Sequence, residues 1–138
     1  MKTLTISIFL ALAVHNLAPA QDLGDFRWQH RIVLLMDPYG NPECERQLQE
    51  LQEHTAGMQE RDILLFVFNG KALLDEKGNP TPISVQEVPY PTFEGVILIG
   101  KDGGVKMKKN YHLTAEFIFD RIDAMPMRKA ELREGNKG

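Results

Sequence analysis

The chain contains a single cysteine, Cys44, where a buried strand gives way to a helix. The apolar run 32–36 predicts the strand, and the sequence Asn41-Pro42-Glu43-Cys44 predicts a helix start with the thiol in its first turn. A helix N-terminus favours thiolate chemistry, because the helix dipole stabilises negative charge. One thiol cannot close an internal disulfide. A reaction at Cys44 would therefore involve a peroxide or a second protein.

The helical repeat argues against a reactive thiol. Cys44 falls on one predicted helix face with Leu48, Leu51, Thr55 and Met58. This face points toward the core, and burial raises the pKa of a thiol. The neighbouring carboxylates of Asp37, Glu43 and Glu45 also oppose its ionisation. The pattern favours a structural thiol over a nucleophile.

Two known redox patterns are incomplete at this junction. A thioredoxin-like enzyme carries its attacking cysteine at the helix cap and a second cysteine three residues later. Here Asn41 stands at the first of these positions and Cys44 at the second. Peroxiredoxins resemble this region through a Pro-x-x-x-Thr/Ser-x-x-Cys pattern, in which Asp37 and Asn41 replace the proline and the hydroxyl residue. We therefore expect a non-catalytic thioredoxin-like domain of unknown ligand that serves as a binding or structural module, with Cys44 buried as its helical phase predicts. The alternative is a single-cysteine thiol peroxidase or oxidoreductase that uses Cys44.

A second feature with chemical potential is a basic hairpin. Four lysines lie within nine residues of one another: Lys101, Lys106, Lys108 and Lys109. They predict a patch that binds an unknown acidic protein or glycan partner. Lysines on an edge strand also prevent unwanted strand pairing, which is the structural explanation of the same pattern.

Metal and cofactor sites are not predicted. His30, His54 and His112 are too far apart in sequence to suggest a metal site. The segment 95–101 matches the first seven positions of a phosphate-binding loop, but Asp102 stands where that loop needs Ser or Thr.

The order of predicted elements indicates an α/β fold of the thioredoxin-like type. A β-α-β unit is followed by a β-hairpin and a C-terminal helix. The remaining segments supporting this order are a second apolar strand at 63–68, a third at 96–99, an alternating edge strand at 105–108, and a helix that begins after Thr114. The predicted inward face of that helix contains Phe117, Ile118, Arg121, Ile122 and Met125. Residues 71–92 predict a long surface excursion, with 83–88 as its one candidate element.

The first twenty residues predict an export signal, so we expect a periplasmic or extracellular protein. Lys2, an apolar run from Leu4 to Val14 and the small-residue site Ala18-Pro19-Ala20 fit a signal peptide at 1–20, followed by a single domain at 21–138. No membrane span is expected after cleavage. The chain has 16 basic and 19 acidic residues, and this acidic balance argues against a nucleic-acid partner.

Three segments resemble the domain of unknown function 4174 family: 28–36, 98–106 and 122–128. The resemblance extends over most of 22–134. It implies a thioredoxin- or peroxiredoxin-like domain of small exported bacterial proteins. Related domains occur in sushi-repeat-containing proteins and in a coiled-coil-domain extracellular-matrix protein. The resemblance supplies no catalytic residues and does not identify Cys44 as a family feature.

Overall fold

Five strands form one mixed sheet in the computed structural model, which describes residues 22–136. They are β1 (Arg31–Met36), β2 (Ile63–Phe68), β3 (Leu73–Leu74), β4 (Gly95–Ile99) and β5 (Val105–Lys109). Their order across the sheet is β3-β2-β1-β4-β5. Strands β1 and β2 are parallel, and the other neighbouring pairs are antiparallel. The predicted signal peptide, 1–20, lies outside the described residues.

Four α-helices accompany the sheet: α1 (Glu43–Gln52), α2 (Thr55–Glu60), α3 (Ala115–Asp123) and α4 (Pro126–Gly135). A short 3-10 helix, Leu23–Phe26, precedes β1. The α/β class is confirmed, as is the order of a β-α-β unit, a hairpin and a C-terminal helix that the sequence predicts. The parallel pairing follows from the helical crossover between β1 and β2, which returns the chain to the same end of the sheet.

Strand β1 is buried on both faces. All six of its residues are buried, which explains the apolar run without alternation. Val33 and Leu35 belong to a cluster that includes the buried apolar residues of α1, α2 and α3. Ile32, Leu34 and Met36 point to the opposite face and form a second cluster.

The prediction that 71–92 is a surface excursion is wrong in part, because this segment contributes buried residues to the second face of the sheet. Leu73 is fully buried in β3, and Val88 is buried against the same cluster. The candidate element at 83–88 is neither a helix nor a strand. This irregular segment packs against the sheet because the apolar side chains of its second face must be removed from water.

The predicted inward faces of the helices are partly wrong. The predicted face that runs from Cys44 to Met58 does not lie on one continuous helix. The chain turns at 53–54 and restarts as α2, which leaves Thr55 exposed. Gly57 lies inside α2 against the Phe119 ring. In α3, Phe117 and Arg121 are exposed, whereas Phe119 is buried.

Gly95 offers a test of the packing between β4 and β5. Its φ is +150°, and a Cβ there would meet the backbone carbonyl of Lys109 and lie 2.7 Å from the Phe93 ring. Gly40 also has a positive φ, +78°, but a Cβ there meets nothing within 4 Å. We expect Gly95→Ala to lower the free energy of unfolding by about 3 kcal/mol or more, and Gly40→Ala by only about 1–2 kcal/mol. Urea unfolding measures both, and equal losses would contradict this packing.

Candidate functional site

The turn between β1 and α1 fixes the position of Cys44. The Asn41 side chain accepts a hydrogen bond from the Glu43 backbone N–H at 2.9 Å, and the Asn41 backbone N–H donates to the Asp37 carboxylate. These bonds begin the helix so that Cys44 lies in its first turn. The Cys44 side chain is only 5% exposed and joins the cluster under α1, which confirms the predicted inward direction.

The surroundings of Cys44 favour the neutral thiol. Burial raises its pKa, and the negative charges of Asp37 and Glu45 raise it further. The Tyr111 hydroxyl acts in the opposite direction. However, that hydroxyl donates to the backbone carbonyl of Met36 at 2.8 Å, and its one proton cannot serve a thiolate at the same time. Burial also raises the pKa of Tyr111.

This arrangement limits the chemistry of the site. A nucleophilic cysteine needs access to its substrate and a positive neighbour that stabilises the thiolate. Cys44 is buried, and the charged groups that shift its pKa are all negative. The geometry therefore describes a protonated core thiol.

Gln47 holds the Tyr111 loop against α1, a role that the sequence analysis missed. Its side chain is fully buried. The amide donates to the Leu113 carbonyl at 2.8 Å and accepts from the Leu113 N–H at 2.7 Å. Glu50 adds a bond from the Ala115 N–H at 2.8 Å. A buried glutamine with both ends paired gives no periodic signal, so the sequence could not reveal it.

The four lysines of the predicted basic patch separate into two groups. Lys101 is only 8% exposed, so the prediction that it shares an exposed patch with the others is wrong. Its position directly after β4 directs the ammonium group to Asp62 and Glu131, at 2.9 and 2.6 Å. Lys108 and Lys109 are exposed on β5, and Lys106 is partly exposed. Lys106 pairs with Asp102 at 2.7 Å.

Lys101 belongs to an ion network at one end of the sheet. Arg31, 1% exposed, donates to both oxygens of Glu131 at 3.2 Å and to the Arg61 carbonyl at 2.9 Å. Burial alone would raise the pKa of Glu131, but the hydrogen bonds from Lys101 and Arg31 outweigh it and lower that pKa. Glu131 therefore stays ionised between two buried cations.

The network continues along the helices. Arg61 donates to Asp123 at 2.8 and 3.0 Å, and this bond is the largest cause of the lowered pKa of Asp123. Arg128 joins Asp123 to Glu60, at 3.1 and 3.0 Å. Together these ion pairs tie α3 and α4 to the chain between α2 and β2.

The sequence contains one signal for this network, at the starts of two strands. Arg31 and Asp62 each stand next to the start of an apolar strand, and the parallel register pairs Arg31 with Ile63. Residues at the starts of neighbouring parallel strands lie at the same end of the sheet. The partners from α4 gave no such signal, because they are distant in sequence.

A cavity of about 280 Å³ lies beside this network. Its lining combines charged and apolar residues: Arg31, Gly100, Lys101, Asp102, Lys106, Met125, Pro126 and Met127. The cations of the network are balanced by carboxylates, so no excess charge is available to attract an ion. We interpret the network as structural support for α4.

Within residues 22–136, no group of three or more His, Cys, Asp or Glu side chains is placed to hold a metal ion. None of the helices in that range is long and apolar enough to cross a membrane.

The comparison with protein families identifies the chain. Residues 22–131 match the family described as Domain of unknown function (DUF4174). The chain belongs to this family. No curated protein and no solved structure matches it.

The three segments on which the predicted family resemblance rests converge in the structure. Segment 28–36 contains Arg31, segment 98–106 contains Lys101, and segment 122–128 contains Asp123 and Arg128. All four residues belong to the ion network. Each of these three segments therefore contributes to the contacts that hold the C-terminal helices.

Glu131 allows a test of this network. We expect Glu131→Gln to lower the free energy of unfolding at pH 7 by about 2–3 kcal/mol, because Arg31 and Lys101 lose their shared carboxylate. The matched control Glu134→Gln, on the exposed side of α4, should change it by less than about 0.5 kcal/mol.

The pH dependence gives a second readout. The pKa of Glu131 is lower in the folded protein than its ordinary value of 4.5, so unfolding takes up a proton as the pH falls below that value. The stabilisation is present above pH 4.5 and is lost as the pH falls through the folded-state pKa. Urea midpoints of wild type and Glu131→Gln should therefore converge in acid, and a constant difference would contradict the ion pairing.

Proposed function

We propose that this protein is an exported, non-catalytic thioredoxin-like domain that acts by binding a partner. The observation that carries the proposal is the state of Cys44. The thiol is buried, its pKa is raised, and the charged groups beside it, Asp37 and Glu45, are acids that disfavour a thiolate. Cys44 therefore lies where a redox enzyme of this fold keeps a cysteine, but its surroundings do not activate it as a nucleophile.

The β1–α1 junction supports the thioredoxin-like assignment. A helix begins directly after the first core strand, and the crossover returns to a parallel second strand. Asn41 occupies the place of the attacking cysteine in that motif, and here its side chain accepts a hydrogen bond from the Glu43 N–H at the start of α1. An asparagine amide cannot act as the nucleophile, so the junction has the turn of the redox motif without its thiol–disulfide chemistry.

The export part of the proposal rests on the N-terminal sequence. The apolar run and the Ala18-Pro19-Ala20 site fit a cleaved signal, which would deliver the domain to a periplasm or the extracellular space. Exported domains commonly rely on disulfides, but the one cysteine of this chain is free. The two apolar clusters and the ion network therefore supply the stability of the folded domain.

Alkylation of Cys44 tests the non-catalytic proposal. We expect iodoacetamide to label the folded protein at pH 7 more slowly than the urea-unfolded chain by about a hundredfold or more, because labelling requires local opening. The rate should still be rising above pH 8.5, about where a free thiol is half ionised. A rate that levels off below pH 7, together with rapid reaction with hydrogen peroxide, would support the alternative thiol peroxidase or oxidoreductase.

Processing of the N-terminus tests export. Expression of the full chain in a secretion-competent bacterial host should yield, outside the cytoplasm, a protein whose first residue is Gln21. The measurement is the intact mass and N-terminal sequence of the purified protein. Replacement of Ala18 and Ala20 by Arg should block cleavage. An unprocessed wild-type chain retained in the cytoplasm would contradict export.

A further inference from the structure

Strand β5 forms one edge of the sheet. It pairs with β4 on one side, and its other side has no strand neighbour in the described part of the chain. Near a register shift, the Lys106 carbonyl accepts a hydrogen bond from Arg121 at 3.2 Å. From Met107 to Lys109, the backbone forms hydrogen bonds with β4 and with no other described residue. This stretch offers backbone donors and acceptors to another chain.

The side chains beside this edge are cationic. Within residues 22–136, Lys108, Lys109 and Arg121 form no ion pair, whereas Lys106 pairs with Asp102. The whole chain carries a net charge of −3, so this positive surface is opposite in sign to the protein as a whole. Its chemistry favours an anionic partner.

Aromatic rings hold these lysines on both faces of the strand. The Lys108 ammonium lies 4.2 Å from the centre of the Tyr90 ring and 4.8 Å from that of Phe93. The Lys109 ammonium lies 5.6 Å from the Phe117 ring on the other face. Tyr90 and Phe117 remain 51% and 43% exposed. Tyr90 also has a φ of +51°, a conformation uncommon for a bulky residue.

A shallow groove follows the same edge. Two adjoining cavities, of about 360 and 250 Å³, share Lys106 and Arg121 and run between β5 and α3. Phe117 lies at one end and Met125 at the other. The groove therefore provides apolar contact area beside the positive charges and the open backbone.

We propose that the β5 edge binds an extended, acidic segment of a partner protein, which adds to the sheet as a further strand. Backbone hydrogen bonds supply affinity in such additions, and alternate side chains supply specificity. The lysines select acidic strands and also oppose pairing between two copies of β5, which would bring like charges together. This inference rests on the proposed partner-binding function and names the class of partner.

Fluorescence anisotropy with a defined peptide tests the proposal. The probe is a labelled ten-residue peptide of alternating Glu and Thr, added to the folded mature protein. We expect the double variant Lys108→Glu/Lys109→Glu to weaken binding by at least about tenfold, because attraction is replaced by repulsion at two positions. The matched control Lys71→Glu/Lys77→Glu reverses two exposed lysines elsewhere and changes the net charge equally, so it should bind like wild type.

Further ligands separate strand addition from general charge attraction. A peptide with Gln in place of Glu should bind at least about tenfold more weakly, and N-methylation of alternate backbone amides in the Glu peptide should abolish binding. Equal loss in both lysine variants, or full binding of the N-methylated peptide, would overturn the proposal. Binding of a sulfated glycan through Lys108 and Lys109 without binding of the peptide would also overturn it, in favour of a glycan partner.

Failure here is distinguishable from failure of the proposed function. Alkylation of Cys44 reports on the core under α1 and does not involve the β5 lysines. An inert thiol with no peptide binding would reject the acidic strand alone. A reactive thiol would reject the non-catalytic domain.

Discussion

The burial of β1 on both faces is the constraint on which the rest of the structure depends. A strand with six buried residues needs apolar cover on each side of the sheet. Helices α1, α2 and α3 provide the cover on one side. On the other side, the chain between β2 and β4 contributes Leu73 from β3 and Val88 from its irregular part. Arg31 begins the same strand and is equally buried, so its charge must be matched by Glu131 from α4.

The state of Cys44 follows from this constraint. Helix α1 packs its buried face on the sheet, and Cys44 occupies that face at the first helical turn. The helix dipole at this position favours a thiolate, but burial and the nearby carboxylates act against it and prevail. The same turn that presents a nucleophile in a redox enzyme here delivers a side chain to the core. Partner binding is therefore better supported at the exposed edge of the sheet than at the thiol.

The sequence predicted the features that depend on local pattern. The strands at 32–36 and 63–68 were recognisable because unbroken apolar runs mark doubly buried strands, and the Thr114 cap was confirmed by its bond from Phe117. Features that depend on residues distant in sequence could not be predicted from local pattern. Arg31 and Glu131 are 100 residues apart in sequence, and Gln47 is satisfied by a loop 66 residues away. Lys101 belonged to a basic cluster in the sequence, but its partners in space are Asp62, just before β2, and Glu131 in α4.

The S–H stretching band in the Raman spectrum of the native protein tests the central claim most directly. The chain has one cysteine, so the band belongs to Cys44 without ambiguity. The structure predicts a full-intensity band at pH 7 that persists at pH 8.5, about where half of a free thiol is ionised. Loss of the band at pH 7, with the protein still folded, would show a thiolate and contradict the account of a buried, non-catalytic thiol.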